Sequence, residues 1–219
     1  MKKLQMFAGV ASISEAIIYM SAFIYFGLFF NFPHGTDAVE AVNFLTENQL
    51  SLTIVTFAMY ILFGCLLGLL VVGLHNQLGK TGSPLVQVAS IFGAVWVGLV
   101  IASGMISNIG LNAALNISTE SPEKALDVWN IVSIVVESLG GGNELVGGLW
   151  VLLISLAALK LQKLSRYLNY LGIFVGVAGI STIYPAEALT EIFGVTQIVW
   201  FLWLGIVFIR LSKMSKPNT

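Results

Sequence analysis

The sequence predicts an all-α, polytopic integral membrane bundle of about six transmembrane helices, with both termini cytoplasmic and short interfacial helices outside. Three observations carry this prediction. The 219 residues are 57% hydrophobic and only 10% charged, whereas an average soluble domain carries about 25% charged residues. Apolar runs recur at about the 20-residue length that a helix needs to cross the hydrocarbon. Basic residues gather on the loops of one side, as cytoplasmic loops do.

Six apolar runs define the spans, and prolines mark their edges. The spans are placed near residues 5–30, 51–74, 84–107, 140–160, 167–184 and 192–210 of a single domain, 1–219. Pro33 follows the first span, Pro84 opens the third and Pro185 closes the fifth, where a missing amide hydrogen costs least. The first run exceeds the roughly 7–15 apolar residues of a signal peptide, so we expect it to be an uncleaved span.

The distribution of charge predicts the orientation. One side of the membrane receives Lys2, Lys3, Lys80, Lys160, Lys163, Arg166, Arg210, Lys213 and Lys216. Only Lys124 falls with the acidic residues outside the spans. Because basic residues are retained in the cytoplasm, this side is predicted to be the inner one. The net charge of -1 offers no basic surface for nucleic acid, so nucleic acid is not an expected partner.

Two outer segments are predicted to form helices of their own. Asp37 is a candidate cap with Glu40 three residues on, which favours a short interfacial helix. A helix that began at Pro122 and continued to Lys160 would be about 58 Å long, nearly twice the hydrocarbon thickness of about 30 Å. Such a helix must either break or project beyond the membrane.

A cluster of glycines lies within this segment. Gly140, Gly141 and Gly142 are the predicted break, because each glycine weakens a helix by about 1 kcal/mol relative to alanine. The alternative is a long, tilted, unbroken helix that uses glycines, Gly148 among them, for close packing against a neighbour. The sequence alone leaves both possibilities open.

Two carboxylic acids within the spans predict a polar pocket. Glu15 and Glu144 both fall in the outer half of the membrane, about 18 Å and 24 Å from the cytoplasmic ends of their spans. Charged residues cost about 2.5–3.5 kcal/mol inside a span and therefore face the bundle interior or water. We expect an outward-facing pocket with a wall formed by Glu15, Tyr19, Asn143 and Glu144, and with Glu137 and Glu187 nearer its mouth.

The chemistry of this pocket would favour cations. It offers no Lys or Arg to neutralise the acids, so either one carboxyl group is protonated or a cation or water is present. Protons, metal cations or amine-like groups are thus preferred over anions, and the identity of any metal stays open. The alternative is that each glutamate is protonated and forms a hydrogen bond to a serine or a backbone carbonyl of another helix, which would serve only to stabilise the bundle.

Other chemistry finds little support in the sequence. The motifs of zinc proteases, redox-active dithiols, serine hydrolases and phosphate-binding loops do not occur. His34 and His75 fall outside the spans, so a transmembrane bis-histidine haem is not available. We therefore expect no cofactor, and an enzyme is the less favoured class.

Four stretches resemble a known family. They are Gly147-Gly148-Leu149-Trp150-Val151-Leu152-Leu153, Leu168-x-x-Leu171-Gly172-Ile173-x-x-Gly176, Trp200-Phe201-Leu202-Trp203-Leu204-Gly205, and the outer stretch from Asp37-Ala38-Val39 to Asn48-Gln49-Leu50. Together they are similar to the multi-pass membrane proteins of the domain of unknown function 4386 family. The resemblance implies six helices in a bacterial or archaeal cytoplasmic membrane, and it supplies no catalytic residue and no substrate.

Three functional hypotheses follow. The first is a transporter-like or sensory membrane protein that binds a small cation, proton or amphiphile in the outer acidic pocket. The second is a non-catalytic bundle that acts through partner proteins or the lipid bilayer, and the third is an intramembrane enzyme acting on lipid. An apolar inner half argues against an open channel, which needs a polar or wide lining throughout. The oligomeric state is left open.

Overall fold

The computed structural model describes residues 2–33, 37–79, 82–139, 144–184 and 186–214, whose regular elements are all helical. The helices are α1 (Lys2–Phe29), α2 (Ala38–Glu47), α3 (Gln49–Leu78), α4 (Pro84–Ile117), α5 (Pro122–Lys160), α6 (Arg166–Ser181) and α7 (Glu187–Met214). The all-α class is therefore confirmed. The predicted break at 140–142 lies outside the described residues and stays a prediction.

Among the described helices, five are long and apolar enough to cross a membrane: α1, α3, α4, α5 and α7. This supports a membrane protein, as the composition predicts. Helix α6 has 16 residues and is therefore about 24 Å long, somewhat less than the hydrocarbon thickness of about 30 Å. Helix length alone therefore does not identify α6 as the predicted sixth span.

Apart from α2, the helices form a closed ring in chain order. Helix α1 packs against α3, α3 against α4, α4 against α5, α5 against α6, α6 against α7, and α7 returns to α1. Two side-chain contacts show how α1 is held between its neighbours. Gln5 Nε2 donates to Gln77 Oε1 of α3 at 2.9 Å, and the Ser12 hydroxyl donates to the Phe201 carbonyl of α7 at 2.7 Å.

Large aromatic side chains fill the centre of this ring. Trp96 of α4 contacts Trp150 of α5, with ring centroids 5.6 Å apart, and Trp150 contacts Trp200 of α7 at 5.8 Å. Phe201 stacks on Trp96 with an angle of 12° between the ring planes. Because all four side chains are almost completely buried, the middle of the bundle is a packed core.

Glycine allows α5 and α6 to approach closely. A Cβ atom added at Gly148 would lie only 2.9 Å from both the Gly176 carbonyl oxygen and the Gly179 Cα. Real Cβ atoms essentially never come this close to backbone atoms. Of the two uses proposed for glycine in this segment, Gly148 therefore serves close packing.

Helices α4 and α5 extend beyond the spans that hydropathy assigns to them. They contain 34 and 39 residues, so each exceeds the thickness of the hydrocarbon by about 20 Å or more. Helix α2 packs against their projecting ends, where Leu45, Leu111 and the partly buried Trp129 form a small second core. The apolar runs at 84–107 and 140–160 are shorter than these two helices, because hydropathy detects only the most apolar part of each helix.

Candidate ligand-binding cavity

A cavity of ≈ 200 Å³ lies between α1, α3, α4 and α5. Its wall consists of Ile18, Tyr19, Ala22, Met59, Tyr60, Phe63, Trp96, Val100 and Glu144. Among the described residues of this wall, Glu144 has the one carboxyl group, and none is basic. The cavity is thus an aromatic and aliphatic chamber with a single acidic group.

The aromatic core forms the base of the cavity. Tyr19 and Phe63 meet edge to face, with ring centroids 5.2 Å apart, and Phe63 meets Trp96 at 6.0 Å. These three wall residues also contact the central core through Phe201. The cavity therefore lies on the α2 side of the core, and packed rings separate it from the end that carries the basic loops.

The wall on α3 comes from an irregular stretch of helix. Met59 and Tyr60 belong to a π-helical segment, Phe57–Leu62. Insertions of this kind widen a helix by one residue per turn and often occur at functional sites. Gly104 of α4 makes room for the segment, since a Cβ atom there would lie 2.5 Å from that of Tyr60. Tyr60 was not predicted to line the pocket, because no local signal in the sequence marks a π-helical segment within an apolar run.

Glu144 is partly buried and lies where α5 meets the end of α6. The Thr182 hydroxyl, which donates to the Gly179 carbonyl at 2.7 Å, is also within hydrogen-bonding reach of the Glu144 carboxyl group. The same carboxyl group is close enough to Tyr19 and Tyr60 to interact electrostatically with both. Two helices thus position this acid toward the cavity.

Glu15 lies one helical turn before Tyr19, outside the cavity wall. Its side chain is 0% exposed, and neither carboxyl oxygen has a hydrogen-bond partner within the described part of the chain. Gln197 of α7 is equally buried, and its amide group also lacks a described partner. The sequence analysis missed Gln197, since an uncharged amide in an apolar run gives a weaker signal than a carboxylate.

The remaining predicted residues take different positions. Glu137 is exposed on α5, yet close enough to Tyr60 to interact with it electrostatically. Glu187 is exposed at the start of α7, and Asn143 lies outside the described residues. Of the predicted pocket, Tyr19 and Glu144 are therefore the two residues that share the cavity wall. Within the described ranges, no three His, Cys, Asp or Glu side chains are grouped to hold a metal ion.

Comparison with known proteins gives no match. No protein-family model matches this chain, and neither a curated protein nor a solved structure matches it significantly. The resemblance to the domain of unknown function 4386 family therefore stays a prediction. The cavity itself is therefore the basis for inferring a function.

Proposed function

We propose that this protein is a transporter-like or sensory membrane protein whose cavity binds a small cation, proton or amphiphile. The observation that carries this proposal is the position of Glu144, whose carboxyl group lies in a wall where the other described side chains are aromatic or aliphatic. A carboxylate in such a wall attracts positive charge and repels anions. The neighbouring apolar surface would accept the hydrocarbon part of an amphiphile.

We further propose that α6 is a sixth span and that both termini are cytoplasmic. Support for the span comes from the closed ring, in which α6 fills the place between α5 and α7. Helix α6 packs along α5 over its length. Gly172 lies against Ser155 near the basic loop, and Gly179 lies against the Glu144 backbone carbonyl. Support for the orientation comes from Lys2, Lys163 and Arg210, which lie at the same end of the ring and bear the charge typical of cytoplasmic loops.

The setting we propose is the cytoplasmic membrane of a bacterium or archaeon, with the cavity opening outward. The residues of the wall lie on the α2 side of the aromatic core, which is the outer side in this orientation. The packed core favours a gated or ligand-sensing protein over an open channel.

The test is uptake of small cations into vesicles that contain the reconstituted protein. Protons, sodium and a panel of simple amines are supplied outside, and binding to the same preparation is measured by calorimetry. We expect at least one cation to bind or enter, and Glu144→Gln to abolish the effect while leaving the yield of folded protein unchanged. If no cation binds or enters, or if Glu144→Gln leaves binding and uptake intact, the results favour a non-catalytic bundle instead.

A further inference from the structure

The composition of the cavity wall narrows the class of ligand. Three aromatic side chains with electron-rich rings, Tyr19, Tyr60 and Trp96, line the space that Glu144 also faces. Aromatic rings attract ammonium groups through their quadrupoles, most strongly where the site is shielded from water. A wall that joins several aromatic rings to one carboxylate is therefore suited to an organic cation.

Inorganic cations fit this wall poorly. Ca²⁺ takes about six to eight oxygen ligands, and Mg²⁺ requires a regular octahedron of oxygens or waters. The side chains of the wall provide one carboxyl group, from Glu144, and two phenol groups, from Tyr19 and Tyr60. Aliphatic and other aromatic side chains make up the rest of the described wall, and they offer a desolvated inorganic cation no oxygen ligand.

The size of the cavity limits the ligand further. An apolar cavity of about 150 Å³ is large enough to take up benzene. The volume here is ≈ 200 Å³, which leaves room for a ligand of about six to ten non-hydrogen atoms. A compact ammonium ion with short alkyl substituents has this size, whereas a whole phospholipid does not.

We propose that the cavity accepts a compact organic ammonium ion, with its charged head against the Glu144 carboxylate and its substituents among the surrounding aromatic rings. This inference rests on the proposed function and names the class of cation. The ring of Tyr60 acts through its face, and its hydroxyl group contributes little. The charge of the ligand, more than its shape, determines whether it binds.

The test uses choline as the probe and 3,3-dimethylbutan-1-ol as its uncharged carbon analogue. Binding to the full-length protein in lipid nanodiscs is measured by calorimetry and by the fluorescence of Trp96 and the other tryptophans. We expect choline to bind at least about tenfold more tightly than the alcohol, because the two compounds differ in charge and hardly in shape. Equal binding of the two compounds would overturn the inference.

Matched variants separate the contributions of charge and ring. Glu144→Gln and Tyr60→Leu should each weaken choline binding about tenfold or more, whereas Tyr60→Phe, which keeps the ring, should stay within about threefold. Glu191→Gln, an exposed acid on α7, should bind as the unmodified protein does. If Tyr60→Leu fails to fold, Tyr60→Phe still decides, since loss of binding there would contradict a role for the ring.

Failure of this inference is distinguishable from failure of the proposed function. Binding of sodium or protons that depends on Glu144, without binding of choline, would overturn the ammonium ligand and leave the cation-binding function in place. Absence of binding by every cation tested would overturn both.

Discussion

Glu144 and Glu15 show how differently two acids within one helical bundle can be placed. Glu144 shares a cavity wall with Tyr19, whereas Glu15 is enclosed without a described partner for either carboxyl oxygen. An unpaired polar group in a closed interior costs free energy that an apolar group would not. Glu15 is therefore expected to lower the stability of the protein. Ionisable residues inside the spans of membrane proteins commonly have a functional role.

This difference predicts the effect of replacing Glu15. Glu15→Leu should raise the free energy of unfolding by about 1–3 kcal/mol, because it removes an unsatisfied buried group and preserves most of the volume. Denaturant titration of the protein in detergent, followed by tryptophan fluorescence, measures the change. The exposed Glu191→Leu serves as the control and should change stability by less than about 0.5 kcal/mol. A marked loss of stability in Glu15→Leu would show that the carboxyl group makes a stabilising bond.

Of the residues that line the cavity, the sequence singled out Glu144 and Tyr19 and gave no signal for Tyr60. Glu144 was singled out together with Glu15, because two carboxylates at similar depth suggest a shared pocket, and Tyr19 was included because it lies one turn from Glu15. Tyr60 and Gln197 could not be singled out, since each is a single uncharged polar side chain in an apolar run. Placing Glu15 outside the wall required knowledge of how α1 rotates against its neighbours, which hydropathy does not contain.

At the scale of helices, glycine determines how closely neighbouring helices of the ring can approach each other. Gly148 leaves no space for a side chain against the α6 backbone, whereas a Cβ atom at Gly98 of α4 would have nothing within 4 Å. Glycine is therefore required for close helix packing at position 148, whereas position 98, also within a long helix, has space for a side chain.

This contrast predicts opposite effects for one substitution. Gly148→Ala should destabilise the protein by about 1–3 kcal/mol, because the new methyl group must push two helix backbones apart. Gly98→Ala should leave stability unchanged or raise it by up to about 1 kcal/mol, since alanine has the higher helix propensity. Unfolding in detergent measures both. Equal effects of the two variants would contradict the tight α5–α6 contact.

From hydropathy alone, helix boundaries were predictable only where a span and its helix coincide. The run at 51–74 corresponds closely to α3, Gln49–Leu78. The run at 140–160 covers little more than half of α5, Pro122–Lys160, because charged residues such as Lys124, Asp127 and Glu137 interrupt the first half of this helix. The proline at its first position and the cap at Ser121, which accepts from the Lys124 amide, mark the true start.

At the scale of the whole molecule, the ring closes because the first and last long helices pack against each other. The contact between Ser12 and Phe201 joins positions 189 residues apart in the chain. No local pattern of the sequence predicts such a pairing. Six spans in an alternating order are compatible with it, but the order of helices around the ring becomes evident only from the structure.

The ring predicts that α6 crosses the membrane. Lys163 and Tyr184, both exposed, lie on the loops at the two ends of α6. In a Cys65→Ser background, cysteines introduced as Lys163→Cys and Tyr184→Cys should differ in accessibility. A membrane-impermeant maleimide added to intact cells should label only Tyr184→Cys, and disruption of the cells should expose the other. Labelling of both positions from the same side would remove the sixth span.

We expect the cavity to prefer positive charge because of Glu144, and rates of thiol modification inside the cavity measure this preference. In a Cys65→Ser background, Met59→Cys places a thiol in the cavity wall. Ethyl methanethiosulfonates with a trimethylammonium or a sulfonate group are applied to the reconstituted protein. Each rate is divided by the rate of the same reagent with free mercaptoethanol.

We expect the cationic reagent to react about tenfold faster or more, since a charged cleft raises the local concentration of the opposite charge. Glu144→Gln should bring the two corrected rates close together. Equal corrected rates with Glu144 intact, or a preference that Glu144→Gln leaves unchanged, would contradict the account.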